Sequence, residues 1–139
     1  MIVSQEHIQD FLPHRPPFLM IDGLLAVTAE RFESVFEITE HNVLVSDGEF
    51  KESGIIENIA QTCAASFGYL DREQEGEPKI GFIGAISRVQ VHALPALSCR
   101  INTIVEPTHR LGNIVMVSGK SYLNGNLLLE CEMKIVISE

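Results

Sequence analysis

The stretch Gly54-Ile-Ile-Glu-Asn-Ile-Ala-Gln-Thr-Cys-Ala-Ala-Ser-Phe-Gly-Tyr-Leu70 predicts the element around which the rest of the chain is organised. With 100° between successive residues, its large and small apolar side chains fall on one broad face of a helix. These side chains are Ile55, Ile56, Ile59, Ala60, Cys63, Ala64, Phe67 and Leu70. Ser53 is a suitable N-cap and Gly68 a suitable stop. The stretch therefore predicts one long helix over residues 54–70, buried along this face.

Glu57 is the acidic side chain within this predicted helix. It lies in the first turn, at the border of the apolar face and one turn before Gln61. A carboxylate there lies near the positive end of the helix dipole. Two interpretations are open. Glu57 either stabilises the helix end, or it takes part in chemistry beside the N–H groups of Gly54 and Ile55, which can polarise a carbonyl oxygen.

The composition restricts the classes of function. The chain has 139 residues, enough for one domain with a core, and a net charge of −9, which disfavours nucleic acid or an anionic membrane as partner. No apolar run approaches the roughly 18 residues of a membrane span. The three cysteines are far apart and the start is unlike a signal peptide, so we expect free thiols in the cytoplasm. Neither metal-ligand spacing nor a phosphate-binding loop is present, so no metal or cofactor is expected.

The order of the predicted elements indicates an α+β fold. Residues 4–11 predict a short helix, and polar loops are expected at 40–53 and 71–79. Strands are predicted near 18–29, 31–39, 80–92, 97–106, 113–123 and 127–137. Asn124-Gly125 is the strongest hairpin signal. The economical arrangement is a curved antiparallel sheet wrapped around the long helix. Its open edge predicts pairing with a second copy, hence at least a homodimer.

Three groups of residues resemble the hotdog-fold 3-hydroxyacyl-[acyl-carrier-protein] dehydratases of fatty-acid synthesis and their relatives in polyketide-like pathways. The first is Leu12-Pro-His-Arg15 with Pro17-Phe-Leu19 and Asp22, and the second is Gly54 with Glu57, Ala60 and Gln61. The third, in the late strands, is Phe82-Ile-Gly84, Gly119-Lys-Ser-Tyr122 with Asn124-Gly125, and Glu130-Cys-Glu-Met133. The resemblance covers nearly the whole chain and implies a single hotdog domain over residues 1–139.

The resemblance also implies the chemistry. In the family, an acidic residue on the central helix shares the proton transfers with a histidine, and backbone N–H groups at the helix start hold the thioester oxygen. Glu57 matches the acidic position. Gly54, Ile55, Gln61 and Gly84 match positions expected to bind substrate. Residues 46–54 replace the family's usual Gly-His-Phe-Pro-Gly segment and contain no histidine. His14 and His41 are the two candidates before the helix, and His14 is favoured because neighbouring prolines hold its loop.

Three functions are consistent with this pattern. The leading one is dehydration of 3-hydroxyacyl chains carried by an acyl-carrier protein or coenzyme A, in fatty-acid or polyene-type synthesis. The second is hydrolysis of an acyl thioester, for which Glu57 alone would suffice. The third is a catalytically silent hotdog subunit that binds an acyl chain or supports an active partner, as the missing histidine segment suggests.

Overall fold

The computed structural model describes residues 1–73 and 81–137. Within them lie one α-helix, α1 (Glu52–Glu73), a single 3-10 turn (Ile8–Asp10) and eight strands. The strands are β1 (Gly23–Val27), β2 (Phe32–Glu37), β3 (Val45–Ser46), β4 (Glu49–Phe50), β5 (Gly81–Val91), β6 (Arg100–Leu111), β7 (Ile114–Leu123) and β8 (Asn126–Ile137).

Six of these strands form one antiparallel sheet in the order β1-β2-β6-β7-β8-β5. The strands β3 and β4 form a separate two-stranded hairpin in the segment before α1. Helix α1 packs against the large sheet, with contacts to β1, β2 and every strand from β5 to β8. The predicted α+β architecture, a sheet around one helix, is confirmed.

The predicted ends of the central helix were wrong at both termini. The helix begins at Glu52, so Ser53 lies inside its first turn and does not act as the N-cap. Gly68 does not end the helix, which continues to Glu73. The absent Cβ of Gly68 instead leaves room for the carbonyl of Phe11, which packs directly against the helix backbone at this point. Close approach, rather than termination, explains this glycine.

Several other boundaries also differ from the sequence prediction. The helix expected at residues 4–11 is reduced to the turn at Ile8–Asp10, and the first strand begins at Gly23 rather than near Phe18. The loop predicted at 71–79 begins inside α1, and its residues 74–79 lie outside the described residues. The hairpin at Asn124-Gly125 is confirmed, with positive φ angles of 51° and 82°.

The predicted apolar face of α1 is only partly buried. Ile55, Ile59 and Cys63 are buried in the main core, whereas the later part of the face is half-buried. That later part consists of Ala64, Phe67 and Leu70. Conversely, four polar side chains of the helix are completely buried: Asn58, Gln61, Thr62 and Ser66. Periodicity did not predict this, because the partners of Asn58, Gln61 and Thr62 lie on the sheet and the N-terminal segment, which the helical pattern does not reveal. Among the described residues, buried Oγ of Ser66 has no hydrogen-bond partner.

Strand β5 forms an edge of the sheet and is exposed along its whole length. Its exposed side chains include Phe82, at 59% of its possible surface, and Ile83, Ile86, Val89 and Val91. An unpaired strand edge that carries large apolar side chains is a surface suited to pairing with another chain.

Candidate active site

A cavity of about 700 Å³ lies between the outer side of α1 and the sheet. Helix residues Ala60, Cys63, Ala64, Phe67 and Leu70 form one wall. Side chains from the ends of the sheet strands form the other, among them Val115, Ile135 and Ile137. These apolar side chains, which the sequence predicted to be buried against the sheet, therefore line the cavity. An apolar cavity with few polar groups is typical of a small-molecule site.

The two acid–base candidates favoured by the sequence meet at this cavity. Nε2 of His14 lies 3.8 Å from Oε1 of Glu57, and both side chains line the cavity. They are 33% and 39% exposed, so solvent or a ligand can reach both. The residues are 43 positions apart in sequence, and the fold brings them together because the N-terminal segment crosses the start of α1.

Gln61 fixes the carboxylate of Glu57 to this N-terminal segment. Its Nε2 donates to Oε1 of Glu57 at 3.1 Å and to the carbonyl of Phe18 at 2.9 Å. Its Oε1 accepts the N–H of Met20 at 2.6 Å. One amide side chain therefore fixes Glu57 relative to the segment that follows the His14 loop. Gln61, which the sequence placed among the substrate-binding residues, contacts the acidic group and is not among the residues that line the cavity.

A second buried amide continues this attachment into the sheet. Nδ2 of Asn58 donates to the carbonyl of Met20 at 2.7 Å, and its Oδ1 accepts from Oγ1 of Thr103 at 2.6 Å. Thr103 is hydrogen-bonded in turn to Ser121 at 2.7 Å. These groups are fully buried, and each has a partner, as buried polar groups require. The network fixes both the segment and the helix register beneath Glu57.

The imidazole of His14 presents only one nitrogen to the site. Its Nδ1 is buried and has no hydrogen-bond partner among residues 1–73 and 81–137, whereas Nε2 faces Glu57. The neighbouring Arg15 donates through Nη1 to the carbonyls of Leu12 and His14, each at 2.8 Å, and so stabilises the loop. Proton exchange by His14 at this site would therefore use Nε2.

Three of the residues predicted to bind substrate lie away from the cavity. The N–H groups of Gly54 and Ile55 both donate to the carbonyl of Lys51, at 2.9 and 3.2 Å, so they are not free to hold a thioester oxygen. Gly54 lacks a Cβ because the ring of Phe50 packs there. Gly84 lies at an irregularity in β5, and none of these three residues lines the cavity.

The other histidines differ in their surroundings. The side chain of His41 is 90% exposed, and its Nε2 lies 3.3 Å from Oε1 of Glu40. His41 is not among the residues that line the cavity. His109 lines the cavity together with Arg110. Sequence reasoning missed this pair, because a register shift between Pro107 and His109 alters which residues of the strand border the cavity. No sequence signal marks such a bulge here.

Two of the three cysteines, Cys63 and Cys131, are unsuited to nucleophilic chemistry. All three are free, as predicted. Burial raises the pKa of Cys63 to about 12, and burial also raises the pKa of Cys131 to about 11, so both thiols stay protonated near neutral pH.

Within residues 1–73 and 81–137, no cluster of three acidic, histidine or cysteine side chains could hold a metal ion. Over the same residues, no helix has the length and apolar character needed to cross a membrane.

Comparison with solved structures identifies the class of fold as the hotdog fold of dehydratases and thioesterases. The structure titled the dehydratase heterocomplex ApeI:P from Xenorhabdus doucetiae matches with a TM-score of 0.86 and 14% identity, over 95% of this chain and 91% of that chain. A hypothetical thioesterase with coenzyme A from Streptococcus pneumoniae matches with a TM-score of 0.68 and 9% identity, over 83% and 84% of the two chains.

Sequence comparison then defines the family. The family described as ApeP-like, ApeP dehydratase, matches residues 6–135, and the chain belongs to it. The protein is also similar to the 3-hydroxyacyl-[acyl-carrier-protein] dehydratase FabZ of Campylobacter lari, with 25% identity over 98% of each chain. The corresponding protein of Nitratiruptor sp. is 27% identical over 94% of each chain. The predicted resemblance to this group of dehydratases is confirmed.

Proposed function

We propose that the protein is a dehydratase that converts 3-hydroxyacyl thioesters into 2-enoyl thioesters, with His14 and Glu57 as its catalytic residues. The observation that carries this proposal is the 3.8 Å approach of Nε2 of His14 to Oε1 of Glu57 beside an apolar cavity. An acid and a base within reach of the same small substrate can act on the adjacent C2 and C3 atoms.

The reaction conserves the protons of the pair. Nε2 of His14 takes the proton from C2, and the C2 electrons form the double bond to C3. The bond from C3 to its hydroxyl breaks, and protonated Glu57 donates the proton that completes the departing water. The pair then holds one proton on His14 and none on Glu57. Transfer of that proton from Nε2 back to the carboxylate restores the starting state.

The cavity supports an acyl chain as the substrate. Its helix wall offers small side chains near Glu57, at Ala60 and Ala64, and a larger ring at Phe67. The curated relatives are named for acyl-carrier-protein substrates, and the solved thioesterase contains coenzyme A. The proposal therefore covers thioesters of either carrier, and fatty-acid or polyene-type synthesis as the pathway.

Thioester hydrolysis is a second candidate function. Glu57 is partly exposed, and its carboxylate is held by Gln61 at one oxygen, so a water molecule can approach it. Hydrolysis needs only one base to activate that water. The nearby His14 has a direct use in dehydration, which favours the first candidate.

We further propose that two hotdog subunits pair along β5 and form a homodimer in the cytoplasm. The support is the exposed apolar edge, from Phe82 to Val91, which such pairing would cover. The related solved structure is titled a heterocomplex, so a different hotdog subunit is the alternative partner. Sedimentation of the purified protein at micromolar concentration should give a dimer. A monomer that dimerises only with a second hotdog chain would contradict the homodimer.

The reaction is tested with purified protein and a panel of 3-hydroxyacyl thioesters of carrier protein and coenzyme A. Mass spectrometry follows the 2-enoyl product, and a thiol reagent follows release of the free carrier. We expect enoyl product, reduced roughly 10²–10⁴-fold in Glu57→Gln. The matched control is Glu52→Gln, which removes a neighbouring exposed carboxylate outside the cavity and should change the rate less than about twofold.

Two results would contradict this function. Folded protein that forms no enoyl product from any thioester would exclude dehydration of these substrates. Release of free thiol without enoyl product, lost in Glu57→Gln, would favour hydrolysis instead.

A further inference from the structure

The cavity has two chemically different ends. His14 and Glu57 lie near the start of α1, whereas Leu70 and Asp71 line the cavity near its other end. Glu57 and Asp71 are about 21 Å apart along the helix axis, at the usual rise per residue. Apolar residues line the length between them, including Ala64 and Phe67. We call the region beyond Phe67 the distal end.

Strand β6 places a proline followed by three polar residues at the distal end. Four consecutive residues, Pro107 to Arg110, line the cavity. Side chains of a regular strand alternate between its two faces, so four in a row cannot all face one way. The pairing of β6 with β7 shifts in register between Pro107 and His109, which marks a bulge. Bulges redirect side chains in this manner.

Two of these side chains have unused hydrogen-bonding capacity. Oγ1 of Thr108 already donates to the carbonyl of Met116 at 3.2 Å. By contrast, the side chains of His109 and Arg110 are exposed and make no hydrogen bond or ion pair in the part of the chain that the structure describes. Arginine can donate five hydrogen bonds and accepts none, so its natural partner is an oxygen acceptor. Asp71, which has an interaction of its own, contributes a carboxylate to the same end.

We infer that His109 and Arg110 form a subsite for the far end of the acyl chain, and that this end carries an oxygen function such as a hydroxyl or carboxylate. The inference rests on the proposed function, because the reacting carbons must lie between His14 and Glu57. The thioester then points away from the cavity, and the chain follows the apolar wall towards Arg110. Arg110 is exposed, so an oxygen at the chain end can take the place of one of its water partners, whereas a methyl end offers it no acceptor.

Binding to the Glu57→Gln variant tests the subsite separately from catalysis. The probes are 3-hydroxyacyl coenzyme A thioesters of equal length, long enough to span the cavity, that end in carboxylate, hydroxyl or methyl. Calorimetry should show the oxygen-ended chains binding roughly 3- to 10-fold more tightly than the methyl-ended chain. Adding Arg110→Met to this variant should reduce that ratio to near one.

Arg100→Met is the matched control, because Arg100 begins the same strand and does not line the cavity. It should leave the ratio unchanged, which separates a local contact from the general attraction of an anion to a basic side chain. A methyl-ended chain that binds as tightly as the others would overturn the inference. So would an equal loss for all chains in Arg110→Met, since Arg110 would then contact the carrier.

The wild-type protein distinguishes failure of the subsite from failure of the proposed function. Dehydration of a short 3-hydroxybutyryl thioester, too short to reach Arg110, requires only the proposed catalytic pair. If this reaction proceeds and the terminal group has no effect on binding of long chains, the subsite alone is wrong. If the protein dehydrates no thioester, short or long, the proposed function is wrong.

Discussion

Two faces of α1 contrast sharply. One face carries Asn58, Thr62 and Ser66 and is completely buried against the sheet. The other carries Ala64 and Phe67, which are apolar and yet half-open to the cavity. The usual order of polar outside and apolar inside is therefore reversed along part of the helix. The buried polar face fixes the register of the helix, and the open apolar face provides space for a ligand.

The contrast explains why hydrophobic periodicity is ambiguous in this protein. Core packing and an acyl-binding wall require the same kind of apolar stripe, so the sequence pattern cannot separate them. The buried polar face depends on Ser34, Thr103 and Ser121, which lie on distant strands. Two predictions test this contrast and a third concerns the edge of the sheet, in order of expected effect.

Two phenylalanines that touch each other measure the difference between core and cavity wall. Phe32 is fully buried and meets Phe67 edge to face, with 5.2 Å between ring centroids. Phe32→Ala should lower the free energy of unfolding by about 3–5 kcal/mol, because it leaves a closed void. Phe67→Ala should cost about 1–3 kcal/mol, since its ring already borders open space. Urea unfolding measures both, and equal losses would mean that Phe67 belongs to the core.

The buried polar face is tested at Asn58. Asn58→Ala removes the hydrogen bonds to the Met20 carbonyl and to Thr103, and should destabilise the protein by about 2–3 kcal/mol. Asn102→Ala is the control, because the side chain of Asn102 also makes two hydrogen bonds, by donating to Glu33 and to the Ser34 carbonyl, but is only part-buried. Its loss should be about 1 kcal/mol. Chemical denaturation measures the free energy of unfolding of both variants. A larger loss in Asn102→Ala than in Asn58→Ala would contradict a stabilising role of the buried polar face.

The smallest effect concerns Asp22, at the start of the sheet. Burial raises the pKa of Asp22 above its usual 3.8, although the N–H of Glu37 donates to its Oδ2 at 2.8 Å and partly opposes this. The folded state therefore holds the proton more tightly than the unfolded state. Its contribution to stability is present below pH 3.8 and is lost as pH rises through the folded pKa.

Comparison with Asp22→Asn isolates this contribution. The stability of wild type minus that of the variant should decrease by less than about 1 kcal/mol between roughly pH 4 and pH 7. Denaturation midpoints measured at both pH values provide the check. A difference that instead grows with pH would show that the hydrogen bond from Glu37 outweighs burial.

Local sequence signals predicted the architecture well and the site in part. The apolar pattern predicted α1, Asn124-Gly125 predicted the last hairpin, and Glu57 and His14 were both selected as candidates. The 3.8 Å distance between the latter two depends on how the N-terminal segment crosses the helix, which no local pattern contains. The C-terminal end of the helix was misplaced because Gly68 allows close packing of the Phe11 carbonyl, and Phe11 lies far away in sequence. The place of exposed His109 at the border of the cavity depends on strand register, which local sequence does not contain either.

The central claim is that His14 and Glu57 act as one catalytic pair, and a double-mutant comparison tests it most directly. Dehydration rates are measured for His14→Ala, Glu57→Gln and the double variant, with His41→Ala as the histidine control and thermal midpoints to verify folding. Each single change should lower the rate roughly 10²–10⁴-fold, and the double variant should be little slower than the slower single variant. His41→Ala should keep the wild-type rate, since His41 lies at the surface beside Glu40. A folded His14→Ala or Glu57→Gln protein with nearly full activity would contradict the claim.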